Sequence, residues 1–208
     1  MRNSSSKCAF LFLFLLAFII FSFKDRVYST NDISNIIPVD SNPRCIAVNP
    51  ITEIAVVANE KSDSVSIVNL NTQAVISTIP VGKAPRGVAI DRGLNLAVIG
   101  NSKDNTISII NLNPPSPPFD KGGMGGFEAS TIPVGKEPEG ITINQVTHRA
   151  YAANHKDNTV SVIDLMTNSV IRTISVGKEP EDVAIDPELN LALVTNEKDY
   201  NVSVIDLN

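Results

Sequence analysis

The 208-residue chain has no tryptophan, three tyrosines, two cysteines and two histidines. Each shortage removes a class of function. Cys8 lies in an apolar leader, so the rest of the chain holds one thiol, Cys45, and cannot form an internal disulfide. Along the chain, neither His148 nor His155 has a second histidine, cysteine or carboxylate at metal-ligand spacing, which argues against a zinc centre. Cys45 has no neighbouring base to make it a nucleophile. The GGMGG pentad at residues 122–126 lacks the Gly-Lys-Ser/Thr of a phosphate-cradling loop. With so few aromatic residues, no sugar-stacking platform is built either. No catalytic, cofactor-binding or metal residue is assigned, and the expectation is a non-enzyme with no cofactor.

Positive charge is also short. Lys and Arg number 17 against 22 Asp and Glu, a net −5. Arg2, Lys7, Lys24, Arg26 and Asp25 contribute +3 to that balance, so residues 30–208 carry −8. An acidic domain repels phosphates, and no nucleic-acid partner is expected.

One long apolar run is present, CAFLFLFLLAFIIFSF at residues 8–23, preceded by Arg2 and Lys7. Basic-then-apolar order reads as a secretory signal, with Val27 and Ser29 at −3 and −1 for cleavage before Thr30. The run is short for a permanent span, which needs roughly 20 apolar residues. An uncleaved N-terminal anchor is the second reading, and it would be the only membrane contact. Both readings put residues 30–208 outside the cytoplasm: periplasmic, secreted or at the cell surface.

What the chain has in abundance is repetition. Four units open on IPVDSNPRCIAVN (from residue 37), IPVGKAPRGVAID (79), IPVGKEPEGITIN (132) and ISVGKEPEDVAID (174), spaced by 42, 53 and 42 residues. Each continues with a second run: EIAVVAN (53–59), NLAVIGN (95–101), HRAYAAN (148–154) and NLALVTN (190–196). A third follows: SVSIVNL (64–70), TISIINL (106–112), TVSVIDL (159–165) and NVSVIDL (201–207). A fourth is AVISTIPV (74–81), with counterparts at 128–134 and 169–176. These short runs are rich in Val and Ile and bounded by Asn, Asp, Gly or Pro, which is the pattern of strands. Four strands in about 42 residues make a β-propeller blade, so the fold class is all-β, a propeller of four blades. The blades cover approximately residues 40–81, 82–134, 135–176, and 177–208 joined by 30–39.

The V-G-K-x-P loop then turns the corner from one blade's outer strand to the next blade's inner strand. Gly82, Gly135 and Gly177 are expected to supply positive φ there, and Pro85, Pro138 and Pro180 to fix the turn. Asn49, Asp91, Asn144 and Asp186 end the inner strands and cap turns.

The endings VVAN, VIGN, YAAN and LVTN, each followed by a lysine-bearing polar turn and a strand of the kind SVSIVNL, resemble the YVTN family of β-propeller repeats. The resemblance covers residues 30–208 and recurs four times in register. It implies a prokaryotic protein, secreted or surface-associated, of the kind found in surface-layer proteins and redox-enzyme-related propellers. It carries over no catalytic residue. The expected function is a non-enzymatic module that holds a protein or cell-surface partner. A lactonase-like or redox-enzyme-related propeller is the second reading.

TNDISNIIPV (30–39) matches the outer-strand segments TQAVISTIPV (72–81) and TNSVIRTISV (167–176), so it is expected to complete the last blade beside residues 201–207. Two further arrangements remain open, half of a larger propeller and a homodimer of eight blades. The long second unit places its extra residues in NPPSPPFDKGGMGGFEAS (113–130), read as a tolerated neutral insertion loop whose removal leaves the fold intact, with an exposed apolar contact through Phe119, Met124 and Phe127 as the second reading.

The loops between blades and those joining strands two and three fall on one face. They bring Lys83, Lys136 and Lys178 together with Lys61, Lys103, Lys156 and Lys198 as a candidate binding rim, with Asp40 at the place matching Lys83 in the first unit.

Overall fold

The computed structural model describes residues 35–113 and 127–208. The leader and most of the proline- and glycine-rich insertion, Phe119 and Met124 included, lie outside the described residues.

Among the described residues every regular element is a β-strand, and each unit of the repeat forms one antiparallel sheet. The first sheet runs β1 (Pro43–Asn49), β2 (Ile54–Asn59), β3 (Ser64–Asn69) and β4 (Ala74–Pro80). The second is β5 (Pro85–Asp91), β6 (Leu96–Asn101), β7 (Thr106–Asn111) and β8 (Ala129–Pro133). The third is β9 (Pro138–Asn144), β10 (Arg149–Asn154), β11 (Thr159–Asp164) and β12 (Ser169–Ser175). The fourth has three strands, β13 (Pro180–Asp186), β14 (Leu191–Asn196) and β15 (Asn201–Asp206). Strand order in space equals strand order in sequence, and the first strands β1, β5, β9 and β13 neighbour one another in turn. These are the blades of a β-propeller.

Burial explains why the middle strands read as continuous apolar runs. The second and third sheets are packed on both faces, so alternation of apolar and polar residues is lost there, while in the fourth, packed on one face, burial alternates along the middle strand. Val56, Val65 and Ile67 of the first sheet meet Val88, Ile90 and Ile99 of the second. The second sheet then presents Val98, Ile107 and Ile109 to Ile141, Ile143 and Ala152 of the third. The third presents Tyr151, Val160 and Val162 to Val183, Ala192 and Val194 of the fourth. Each fully buried Val or Ile side chain contributes about 1.5–3 kcal/mol to this stacking.

Three expectations change. The closing strand is not formed over residues 37–39, and residues 30–34 lie outside the described residues. Instead Ile37 and Val39 pack on the outer face of the first sheet, against Ala55, Val57, Val68 and Val75. The insertion is shorter than 113–130, because β8 begins at Ala129, and Phe127 is not an exposed contact but a half-buried one against the first core cluster.

The third correction concerns the loop glycines. Positive φ falls two residues later, on Ala84, Glu137 and Glu179, each at 52°. Gly82, Gly135 and Gly177 are needed for space: an added Cβ would lie 2.6, 2.6 and 2.5 Å from the side-chain Cγ of Asn101, Asn154 and Asn196. Pro85, Pro138 and Pro180 are buried and open strands β5, β9 and β13, the position in a sheet where a missing N–H costs least.

A Gly135→Ala substitution would force that contact, and overpacking of this kind costs about 1–3 kcal/mol. Urea unfolding of the variant should show a lower midpoint with an unchanged slope, and Gly93→Ala, on an exposed turn, should show a smaller loss.

Candidate interaction rim

The rim starts from an asparagine buried at the end of each second strand. Asn59 donates through Nδ2 to Ser64 and Ser66 at 3.2 and 3.0 Å, and Asn101 to Thr106 and Ser108 at 3.0 and 2.8 Å. Asn154 does the same to Thr159 and Ser161 at 3.0 and 2.9 Å, and Asn196 to Asn201 and Ser203 at 2.8 and 2.9 Å. These bonds tie the end of one strand to the start of the next and fix the turn between them. The amide oxygen of all four asparagines is buried without a hydrogen-bond partner among the described residues.

On that base the two loop sets are bonded to each other. The backbone N–H of Lys103 donates to the carbonyl of Lys83 at 3.2 Å, Lys156 to Lys136 at 3.2 Å, and Lys198 to Lys178 at 3.3 Å. In the first unit Lys61 donates to Ser41 at 3.4 Å, so Ser41, not Asp40, holds the place of Lys83. Asp40 stands at the glycine position, where Ser62, Ser64 and the Ser41 N–H hold its carboxyl below the usual range. Carboxylates fasten the loops further: the N–H groups of Lys83, Lys136 and Lys178 donate to Asp104, Asp157 and Asp199 at 2.7, 2.9 and 2.9 Å.

All seven predicted rim lysines are therefore on one face, and all seven are exposed. Lys136 pairs with Asp157 at 3.7 Å, Lys178 with Asp199 at 3.9 Å and Lys198 with Glu179 at 3.1 Å. Lys61, Lys83, Lys103 and Lys156 have no ion pair among the described residues.

Beneath the lysines, one contact recurs at each blade junction between the residue after the loop proline and the residue after the buried asparagine of the preceding blade. Arg86 Nε lies 2.9 Å from Glu60, Glu139 accepts from Ser102 at 3.5 Å, and Glu181 lies 3.2 Å from His155 Nδ1. Arg86 also bonds Glu139, so the chain of contacts runs across three blades. Burial pushes the Glu60 carboxyl up, but the hydrogen bond and charge of Arg86, with help from Arg44 and Asn42, bring it below its ordinary value. Burial raises Glu181, and the nearby acids Glu139 and Glu197 add to that, while His155 opposes it. The acidic end of the row thus lies at the fourth blade.

Folding brings together what sequence spacing separates. His155, Glu179 and Glu197 place one ligand atom each within 4.8 Å of one another, on the rim. Lys198 occupies Glu179 and an ion would have to displace it, so the group is an ion-pair cluster as it stands. His148 lies on the opposite face, its Nδ1 2.8 Å from Asp91. Asp91, Asn49, Asn144 and Asp186 cap the inner-strand turns as expected, each accepting from backbone N–H groups. Cys45 is a free, half-buried thiol against the first core cluster.

No known family model and no curated protein matches the chain. Solved structures do. Hydrazine synthase of Kuenenia stuttgartiensis superposes with a TM-score of 0.69 at 20% identity, over 86% of this chain and 49% of that one. A functionally unknown protein from Desulfotomaculum acetoxidans gives 0.60 at 17%, over 77% and 54%. The Cps50 (Swd1) β-propeller domain of Myceliophthora thermophila gives 0.63 at 8%, over 80% and 54%. The fold is shared, and the chain spans about half the length of these structures.

Glu60→Gln should lower the melting temperature near neutral pH, because a carboxyl held below its unfolded value stabilises the fold above that value. The deficit should close as pH falls through the depressed pKa, below the ordinary 4.5, where wild type loses the same contribution. Thermal melts from neutral to acid pH read both effects.

Proposed function

We propose that this protein is a non-enzymatic propeller of the YVTN repeat type that works outside the cytoplasm and holds a protein or cell-surface partner against its lysine rim. The observation that carries the reading is the regular placement of Lys61, Lys103, Lys156 and Lys198, one per blade, on loops fixed from below by buried asparagines. A rigid scaffold presenting exposed cations suits a partner that offers carboxylates or phosphates. Binding of that kind weakens with salt, since exposed charges are screened. The apolar leader supports the location.

Reversing two ammonium groups that have no ion pair among the described residues, Lys103→Glu with Lys156→Glu, should leave the unfolding curve close to wild type, since exposed charge changes cost little stability. The same pair should abolish salt-sensitive retention of the protein on envelope material from its own cells. Retention equal to wild type would reject the rim as the contact.

The enzyme-related reading has one feature in its favour, the His155, Glu179 and Glu197 group. It requires retained metal in the purified protein or turnover across a panel of lactones. Elemental analysis without metal, together with an inert panel, removes it.

A further inference from the structure

The two ends of the row of blades expose surfaces that match each other. On the trailing face of the fourth blade, Leu193, Val202 and Val204 are 40%, 51% and 63% exposed. Their counterparts in the third blade, Tyr151, Val160 and Val162, are buried at 3%, 0% and 4% by the blade that follows. On the leading face of the first blade, Ile46 and Val48 are 62% and 41% exposed, whereas Val88 and Ile90 at the same register of the second are 7% and 6%. Both faces are open in the same molecule, so they do not cover each other.

We propose that a second copy of this chain covers them, the fourth blade of each copy docking on the first blade of the other to close a two-chain ring of eight blades. Three observations select that partner. The trailing face is the half of a blade junction that this chain buries three times, and the first blade presents the other half. Charge fits as well. The junction contact places the residue after the loop proline against the residue after the buried asparagine of the preceding blade. At the fourth junction these are Arg44 of the second copy and Glu197, in the sense of Arg86 against Glu60. A shallow groove of about 400 Å³, lined by Glu181, Thr195, Glu197, Tyr200 and Val202, lies where that arginine would enter. Finally, Ile37 and Val39 lie on the leading face as Ile79 and Val81 lie against the second blade, so the chain enters the first blade from where a preceding blade's outer strand ends.

The junction is not a copy of the others in every respect. Tyr200, 96% exposed, replaces the Asp63, Asn105 and Asn158 side chains that accept from the next loop's N–H. Its carbonyl remains available to the Val39 N–H, as the Asp63 carbonyl is to Val81. On the opposite face the register brings Asp186 toward Glu53, two acids at the surface.

The test is sedimentation of the full chain in mild detergent over a wide concentration range. Wild type should reach twice the chain mass, and Val204→Asp, at a position exposed in the single chain, should still unfold in one cooperative transition, at a midpoint lowered by the lost association, yet stay at the single-chain mass. Arg44→Glu alone and Glu197→Arg alone should each weaken the dimer about tenfold or more. Mixed together, these two variants should associate again, because each junction of the mixed ring then faces unlike charges. A wild type that stays single at every concentration overturns the proposal. So does a dimer indifferent to Val204→Asp, or a mixture no tighter than its components.

Discussion

Each blade in this molecule is apolar on both faces, and no sheet can bury itself. Val56 and Ile67 need the second sheet, Val98 and Ile109 the third, and Tyr151 and Val162 the fourth. The sheet alone is therefore unstable, and stacking supplies what each strand lacks, as in other repeat architectures. Folding follows as a property of junctions more than of blades. Loss of one junction exposes two faces at once.

Stacking sheets still leaves their turns to be placed, and the buried asparagines do this. Each reaches forward five and seven residues to hydroxyl or amide partners, so the second and third strands leave the turn in fixed register. The tight contact of Gly82 on Asn101, and of its counterparts, seats the incoming loop directly on that asparagine. The rim thus inherits its geometry from groups that no solvent reaches.

The strands were legible because β-branched runs between turn residues have few other solutions, and SVSIVNL or TVSVIDL could be bounded nearly to the residue. The faces were legible too, since lysine places follow from loop order. The glycines were misread: Gly135 looked like a conformational need, and only the position of Asn154, nineteen residues away and folded over it, shows a steric one. The signal for the asparagine latch was present, an Asn followed by hydroxyls at five and seven residues in three units of four, but it names a contact only once the hairpin is known. The His155–Glu181 and His148–Asp91 contacts join different blades, and linear spacing carries no trace of such pairs.

The loops of the two ends differ in one respect. Twenty residues separate Ser41 from Lys61, Lys83 from Lys103, Lys136 from Lys156 and Lys178 from Lys198, and each of these pairs shares a backbone hydrogen bond. The connection between β7 and β8, at the other end, has instead lengthened by eleven residues relative to the other units. At that end this one connection has grown, while the turns after the four inner strands have kept their length. For anyone who would use the molecule as a display scaffold, that asymmetry is an address: cargo grafted into the β7–β8 connection leaves from the back, with the lysine loops facing forward and undisturbed.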